Sequence, residues 1–264
     1  MNTTVSAAFL GLVEGITEFL PVSSTGHLIV AADLLKFRDA GGTFEIAIQL
    51  GAVLAVVAYY WRDLSGQARA LPERPEVRTL WLGVTLAFLP AAALGFLFSD
   101  AITRYLFSPV TVGLSLMLGG AALWVIEGRT FAARTTGLTQ VSPRQALIVG
   151  CAQCLALVPG VSRSASSIIG GLLTGLDRPT ATAFSFYLSI PTLGLATLYA
   201  LIKGREALDS TQLGPLLVGM GVSFVTALLA IGWLLKYVAR HDFRGFAVYR
   251  MLAGLAILGW ALWR

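Results

Sequence analysis

The sequence predicts an all-α polytopic membrane protein with six transmembrane helices and two re-entrant helix–loop–helix hairpins, arranged as an inverted internal repeat. Three observations predict it. The 264 residues are 56% hydrophobic and only 12% charged, against roughly 25% charged in an average soluble domain, and mean hydropathy is +0.77. Six apolar stretches each approach the roughly 20 residues that cross a bilayer. Two more apolar regions are interrupted by a Pro beside a Gly/Ser-rich turn, and irregular backbone at membrane depth survives only when protein or a wet cavity surrounds it.

In chain order, the first hairpin covers about 5–35 and is followed by spans near 44–61, 79–98 and 108–126. The second hairpin covers about 145–176 and is followed by spans near 182–202, 213–235 and 245–263. Residues 1–264 form one membrane domain, with 1–128 as the first repeat and 145–264 as the second. Leu20-Pro21-Val22-Ser23-Ser24-Thr25 resembles Val158-Pro159-Gly160-Val161-Ser162-Arg163-Ser164, Phe44 matches Phe184, and Ala122-Leu123-Trp124 matches Ala261-Leu262-Trp263, at offsets of 138 to 140 residues. Three spans per half invert one half relative to the other, and such repeats meet near the bilayer midplane.

Arginine and lysine orient the chain. Arg62, Arg69, Arg74 and Arg78, then Arg129, Arg134 and Arg144, then Lys236, Arg240 and Arg244 cluster in alternate connectors. Lys36 with Arg38, Arg104, and Lys203 with Arg205 make the others poorer. The positive-inside rule puts the richer set in the cytoplasm and both termini outside. The net charge of +5 lies mostly in these connectors, so nucleic acid is not an expected partner. No cleavable signal peptide is expected, because the first apolar run contains Glu14 and Glu18 and lacks a basic leader. Cys151 and Cys154 read as two small apolar residues of a helix, since no second Cys or His pair completes a metal site.

The chemistry concentrates where charge is costly. Glu14 and Glu18 are spaced to share one helix face, and Ser23, Ser24, Thr25, Gly26 and His27 follow Pro21. An ionisable group in a bilayer costs several kcal/mol unless paired or hydrated, so each is a functional candidate. Hard cations such as Mg²⁺ or Ca²⁺ favour carboxylates, and Mg²⁺ often takes one or two of them together with substrate phosphates. A hydroxyl beside His or Glu can be an activated nucleophile, and imidazole titrates near neutral pH. In the second turn Gly160 admits an anion to backbone N–H groups at a helix start, and Arg163 suits phosphate oxygens. Gln49 and Gln153 are further polar candidates within apolar segments, while Arg250 is expected to snorkel or to pair with a carboxylate. The sum is an acidic, hydroxyl-bearing turn facing an anion-binding turn, with lipid on all sides. A lipid-borne phosphate fits it as substrate, and a lipid transporter or flippase built on the same inverted repeat is the alternative.

Glu14-x-x-x-Glu18-Phe-Leu-Pro-Val-Ser-Ser-Thr-Gly-His27 and Pro159-Gly-x-Ser162-Arg163-Ser164 resemble the two signature motifs of the undecaprenyl-diphosphate phosphatase family, which is linked to bacitracin resistance. Thr43-Phe44-Glu45-x-x-Ile48-Gln49-Leu50-Gly51, Gln153-Cys154-Leu155-Ala156 and Phe184-Ser185-Phe186 resemble it too. The resemblance implies removal of the terminal phosphate from a C55 isoprenyl diphosphate in the bacterial cytoplasmic (inner) membrane, at a site open to the outer side. The product would be the lipid carrier of peptidoglycan synthesis, and bacitracin would compete only indirectly, by sequestering the substrate. It also implies a divalent cation. Glu14 and Glu18 would handle metal or water, Ser24 or His27 would attack, and Arg163 would hold phosphate. Ser23, Thr25, Gly26, Gln49, Gln153, Gly160, Ser162 and Ser164 would contact the substrate. A homodimer is left open. The chain departs from the pattern at Ala165-Ser166-Ser167, where the family usually has Gly-x-Thr, and at Ala183, where it usually has Glu.

Overall fold

The computed structural model describes residues 3–37, 43–129, 133–204 and 213–263, and among them the secondary structure is helical apart from one isolated bridge between Thr135 and Leu176. Arg38 and Arg205 of the charge pattern lie outside the described residues.

The first broken helix is α1 (Thr3–Thr17), the turn 18–23, and α2 (Ser24–Leu34). The helices α3 (Thr43–Tyr59) and α4 (Trp61–Ala70) follow, with 64° between them. Next come α5 (Pro75–Leu106) and α6 (Pro109–Glu127). The second broken helix is α7 (Pro143–Gln153), a 3-10 segment (Cys154–Leu157), a turn, and α8 (Arg163–Leu173), followed by α9 (Arg178–Gly204), α10 (Leu213–Val238) and α11 (Arg244–Trp263).

Local chemistry explains the starts. Pro75, Pro109 and Pro143 each open a helix, where the missing N–H costs nothing. Ser108 caps α6 by accepting from Thr111 N, and Ser142 closes a capping box with Gln145 on α7. Gly175, at φ +89°, ends α8 by letting Leu176 N reach Gly171 O.

Five of these helices are long and apolar enough to cross a bilayer, and six are if α3 and α4 count as one bent span. The chain is therefore a polytopic membrane protein. The expected first span at 44–61 is the element that falls short. Its apolar helix stops at 17 residues, and the chain turns into polar α4, whose residues are all at least partly exposed. The arms α1, α2, α7 and α8 have 15, 11, 11 and 11 residues, too few to cross alone.

Packing follows membrane rules. Helices surrounded by lipid gain no hydrophobic drive toward one another, so small residues that allow close approach carry the interfaces. α1 packs on α10, with Gly11 against the Gly219 carbonyl; α7 packs on α5, with Gly150 against Ala87. α6 packs on α11, and α3 packs on both α9 and α10. A Cβ at Gly150 would sit 2.4 Å from Ala87 O. Gly150→Leu is therefore expected to destabilise the bundle by about 1–3 kcal/mol through overpacking; an unchanged thermal midpoint in detergent would contradict this contact. At one end of the bundle, Glu127 accepts from Arg178 Nη2 at 2.5 Å and from Phe243 N at 3.2 Å, pinning α6, α9 and the α10–α11 link together. The main core takes in Phe19 and Val22 of the first turn, with Phe19 edge-on to Phe186 at 5.4 Å.

Candidate active site

The two broken helices bring their turns together. Ser23 and Ser162, each the residue immediately before a short helix, have φ of 72° and 76°. Side chains other than glycine avoid this region, at a cost on the order of 1–3 kcal/mol per residue, and it persists only where the surroundings over-determine it. Ser164 Oγ donates to Leu20 O at 2.8 Å, joining the second turn to the first. The N-termini of α2, which has no side-chain cap, and of α8 present positive dipole ends, and their first residues line one cavity of about 200 Å³.

Glu18 is the hub. Its Oε2 accepts from Ser24 Oγ at 2.5 Å, and its Oε1 lies 3.2 Å from Arg163 Nη2. Arg163 opens α8, so its position is set by the second turn. Its Nη1 donates to Ser185 O at 3.0 Å and Ser185 Oγ at 3.3 Å, and its guanidinium carbon lies 5.6 Å from the Phe19 ring centre. Ser167 Oγ pairs with Ser185 Oγ at 2.7 Å. A carboxylate holding a serine hydroxyl on one oxygen and a guanidinium on the other can take the hydroxyl proton while the arginine faces an anion.

The cavity wall includes Glu18, Ser23, Ser24, Thr25, Gln49, Gln153, Gly160, Ser162 and Arg163 among the residues expected from sequence. Gln153 is buried; its Nε2 donates to Thr192 Oγ1 at 3.4 Å and its Oε1 has no hydrogen-bond partner. Gln49 Oε1 accepts from Thr197 Oγ1 at 3.4 Å. Ser162 also caps α8, accepting from Ala165 N at 3.2 Å.

Four expected residues stand off that wall. Glu14 is buried behind it, with Oε1 unpartnered and with Glu18, Glu45 and Arg163 as its charged neighbours. The helix ends at Thr17, so Glu18 belongs to the turn while Glu14 stays on the helix. Ser164 is engaged with Leu20 and Ser162. Gly26 faces α6, where a Cβ would lie 3.0 Å from Val112 Cγ1. His27 borders a separate apolar hollow of about 400 Å³, lined by residues such as Phe9, Val30, Leu34 and Ile257. Its Nδ1 is 2.7 Å from Ser23 O and its Nε2 is 2.6 Å from Tyr249 Oη. A carbonyl only accepts, so Nδ1 carries the hydrogen and the Nε2 lone pair of the neutral ring receives the tyrosine hydroxyl.

Sequence reasoning had no reason to place Ser185, Thr192 or Tyr249 here, although Phe184-Ser185-Phe186 was a marker of the resemblance. Arg250 differs from both expectations. It is fully buried on α11 and donates to backbone carbonyls, neither snorkelling nor pairing with a carboxylate. Gly160 has a further reason to be glycine. Its φ is +93°, and a Cβ would lie 2.6 Å from Val112 O.

For a divalent cation, no group of three or more His, Cys, Asp or Glu converges among the described residues. The described residues offer no complete cage. The orphaned Oε1 of Glu14 and the wall carboxylate of Glu18 do fit a hard cation that arrives bound to a diphosphate and needs only one or two protein carboxylates.

Fold and site together define a polytopic membrane protein built around a buried carboxylate–serine–guanidinium centre between two broken helices. The chain belongs to the family of bacitracin resistance protein BacA, whose family model matches residues 7–256. It is 52% identical over 252 residues to an undecaprenyl-diphosphatase of Deinococcus radiodurans, covering 94% of this chain and 92% of the relative. It is 50% identical over 260 residues to the undecaprenyl-diphosphatase of Deinococcus deserti, covering 96% and 94%. With that of Albidiferax ferrireducens identity is 48% over 262 residues, covering 97% and 95%.

Proposed function

We propose that this protein hydrolyses undecaprenyl diphosphate to undecaprenyl phosphate and inorganic phosphate, recycling the lipid carrier of cell-wall synthesis. The names of its full-length relatives support the reaction. The observation that carries the chemistry is the Ser24–Glu18–Arg163 chain of contacts. Glu18 takes the Ser24 proton as Oγ attacks the terminal phosphorus, and the bridging P–O bond breaks. Undecaprenyl phosphate leaves with the proton that Glu18 returns to it. Water, deprotonated by Glu18, then attacks the phosphoseryl phosphorus; the Oγ–P bond breaks, Glu18 passes its proton to Ser24 Oγ, and phosphate is released. Arg163 and the N-termini of α2 and α8 bear the charge of the transferring phosphoryl group. Gln49 and Gln153 offer uncharged amide donors around it. A divalent cation, Mg²⁺ or Ca²⁺, held at Glu18 and Glu14 would neutralise diphosphate charge that repels a nucleophile.

Ser24 is preferred to His27 as nucleophile because the His27 lone pair is occupied by Tyr249 and the ring borders the other hollow. Acid-quenched enzyme is accordingly expected to carry phosphate on Ser24; phosphate mapped to His27 would overturn the assignment. The reaction itself is tested by phosphate release from the C55 diphosphate by purified protein in detergent. A folded protein that releases none, while moving lipid between leaflets of vesicles, would replace it with the flippase reading, which the relatives' names do not favour.

The finer architecture belongs to the same reading. Six spans with two re-entrant hairpins are supported by the short arms α1, α2, α7 and α8. The inverted repeat is supported by exchange of partners, since α1 packs on α10 as α7 packs on α5. The two strained serines, Ser23 and Ser162, stand 139 residues apart, within the spread of offsets found in the sequence. With the arginine-rich connectors inside, the protein lies in the bacterial inner membrane and the cavity opens outward. A cysteine at position 69 should then resist impermeant maleimide in intact cells; rapid labelling would reverse the orientation.

A further inference from the structure

Arg250 is a fully buried arginine among the described residues, and none of its partners is a carboxylate. Its Nη1 donates to Pro21 O at 3.1 Å, and its Nη2 donates to Gly160 O at 3.2 Å and Val161 O at 2.8 Å. Pro21 precedes the strained Ser23 by two residues; Gly160 and Val161 immediately precede the strained Ser162. One guanidinium from α11 thus grips the entry strand of both turns. Its space comes from α6, where a Cβ on Gly119 would lie 2.1 Å from Nη2.

We propose that Arg250 is a positioning residue of the site, holding both strained serine turns in register from behind the cavity wall, with Gly119 as the recess that admits it. The inference rests on the reading of this cavity as a phosphate-transfer site. Three features carry it. A rigid fork that donates to two turns at once over-determines their backbones, as unfavourable φ values require. The Val161 carbonyl belongs to the peptide group whose N–H is that of Ser162, on the cavity wall. A hydrogen bond to a carbonyl polarises the N–H of the same peptide group. Finally, no carboxylate pairs with the charge, so its field reaches an anion in the cavity rather than ending in an ion pair.

The test compares Arg250→Met, Arg250→Lys and Gly119→Ala with the unmodified protein, reading kcat and KM for phosphate release from undecaprenyl diphosphate alongside the folded fraction from thermal unfolding in detergent. Arg250→Met is expected to lower kcat per folded molecule about 100-fold, the scale of losing a transition-state donor. Arg250→Lys should recover about tenfold of that, because an ammonium still donates to the carbonyls but lacks the fork. KM should change by less than about threefold, since the effect lies in alignment during the step rather than in ground-state binding. Gly119→Ala displaces the guanidinium without removing it and keeps the test open if Arg250→Met does not fold. It should lower kcat about tenfold in the parent but less than about twofold in the Arg250→Lys background, a coupling expected of residues in contact. If parent kcat per folded molecule persists in Gly119→Ala, or if losses in every variant merely follow the folded fraction, Arg250 has no positioning role. Absence of phosphate release from the unmodified protein would overturn the functional reading itself, and this role with it.

Discussion

Glu18→Gln is expected to slow phosphate release from undecaprenyl diphosphate by about 10²–10⁴-fold, the usual contribution of a positioned general base. The amide keeps the shape of the carboxylate and can still accept one hydrogen bond, but it cannot remove the proton of Ser24, whose Oγ lies 2.5 Å from Oε2. It also ends the charge pairing with Arg163 at 3.2 Å. The loss should fall on kcat, because Glu18 acts when the hydroxyl proton moves. Protein with a normal unfolding midpoint that retained turnover within about threefold of the parent would remove Glu18 from the proton path.

Arg163→Met is expected to lower turnover by about 10²–10³-fold, by loss of the donor facing the transferring phosphoryl group. It should also destabilise the folded protein, by about 3–5 kcal/mol, because Glu18 would be left as a buried charge without its partner. The two effects separate in a double variant. Adding Glu18→Gln to Arg163→Met removes the stranded charge, so the unfolding midpoint should recover while turnover stays low. A double variant no more stable than Arg163→Met would mean that the Glu18–Arg163 pair contributes little to the fold. The partners of Arg163 add a finer expectation of the same sign, since Ser185 fixes the guanidinium through both its carbonyl and its hydroxyl.

The centre of the site was readable because the chain is so apolar. With 12% of residues charged, a glutamate, an arginine or a run of hydroxyls within an apolar segment stands out, and the energetic cost of placing it there argues for use. Glu18, Ser24 and Arg163 were found this way, and the structure brings them into hydrogen-bond contact. The i, i+4 spacing that groups Glu14 with Glu18 falls at the end of α1: the last assigned helical residue is Thr17, yet Glu18 N still donates to Glu14 O at 2.9 Å and the two carboxylates are charged neighbours. His27 is grouped with the serines by nearness in sequence, and its Nδ1 lies 2.7 Å from Ser23 O; its Nε2 meets Tyr249, 222 residues away.

The sequence alone determined the solvent in which this chain folds, five of the long apolar helices fit to cross it, the two places where the hairpins break and the residue types kept at those breaks. All of these follow from hydropathy, from Pro and Gly, and from the cost of charge in lipid, which act over a few neighbouring residues. Only the tertiary structure decided which groups touch: that Glu18 serves two partners, that Arg250 ties both turns to α11, and that the glycines at 119 and 160 make room for a guanidinium and a carbonyl. Most of these contacts join segments far apart in the chain, up to 229 residues for Arg250 and Pro21, and their geometry is set by the packing of whole helices, which no local pattern encodes.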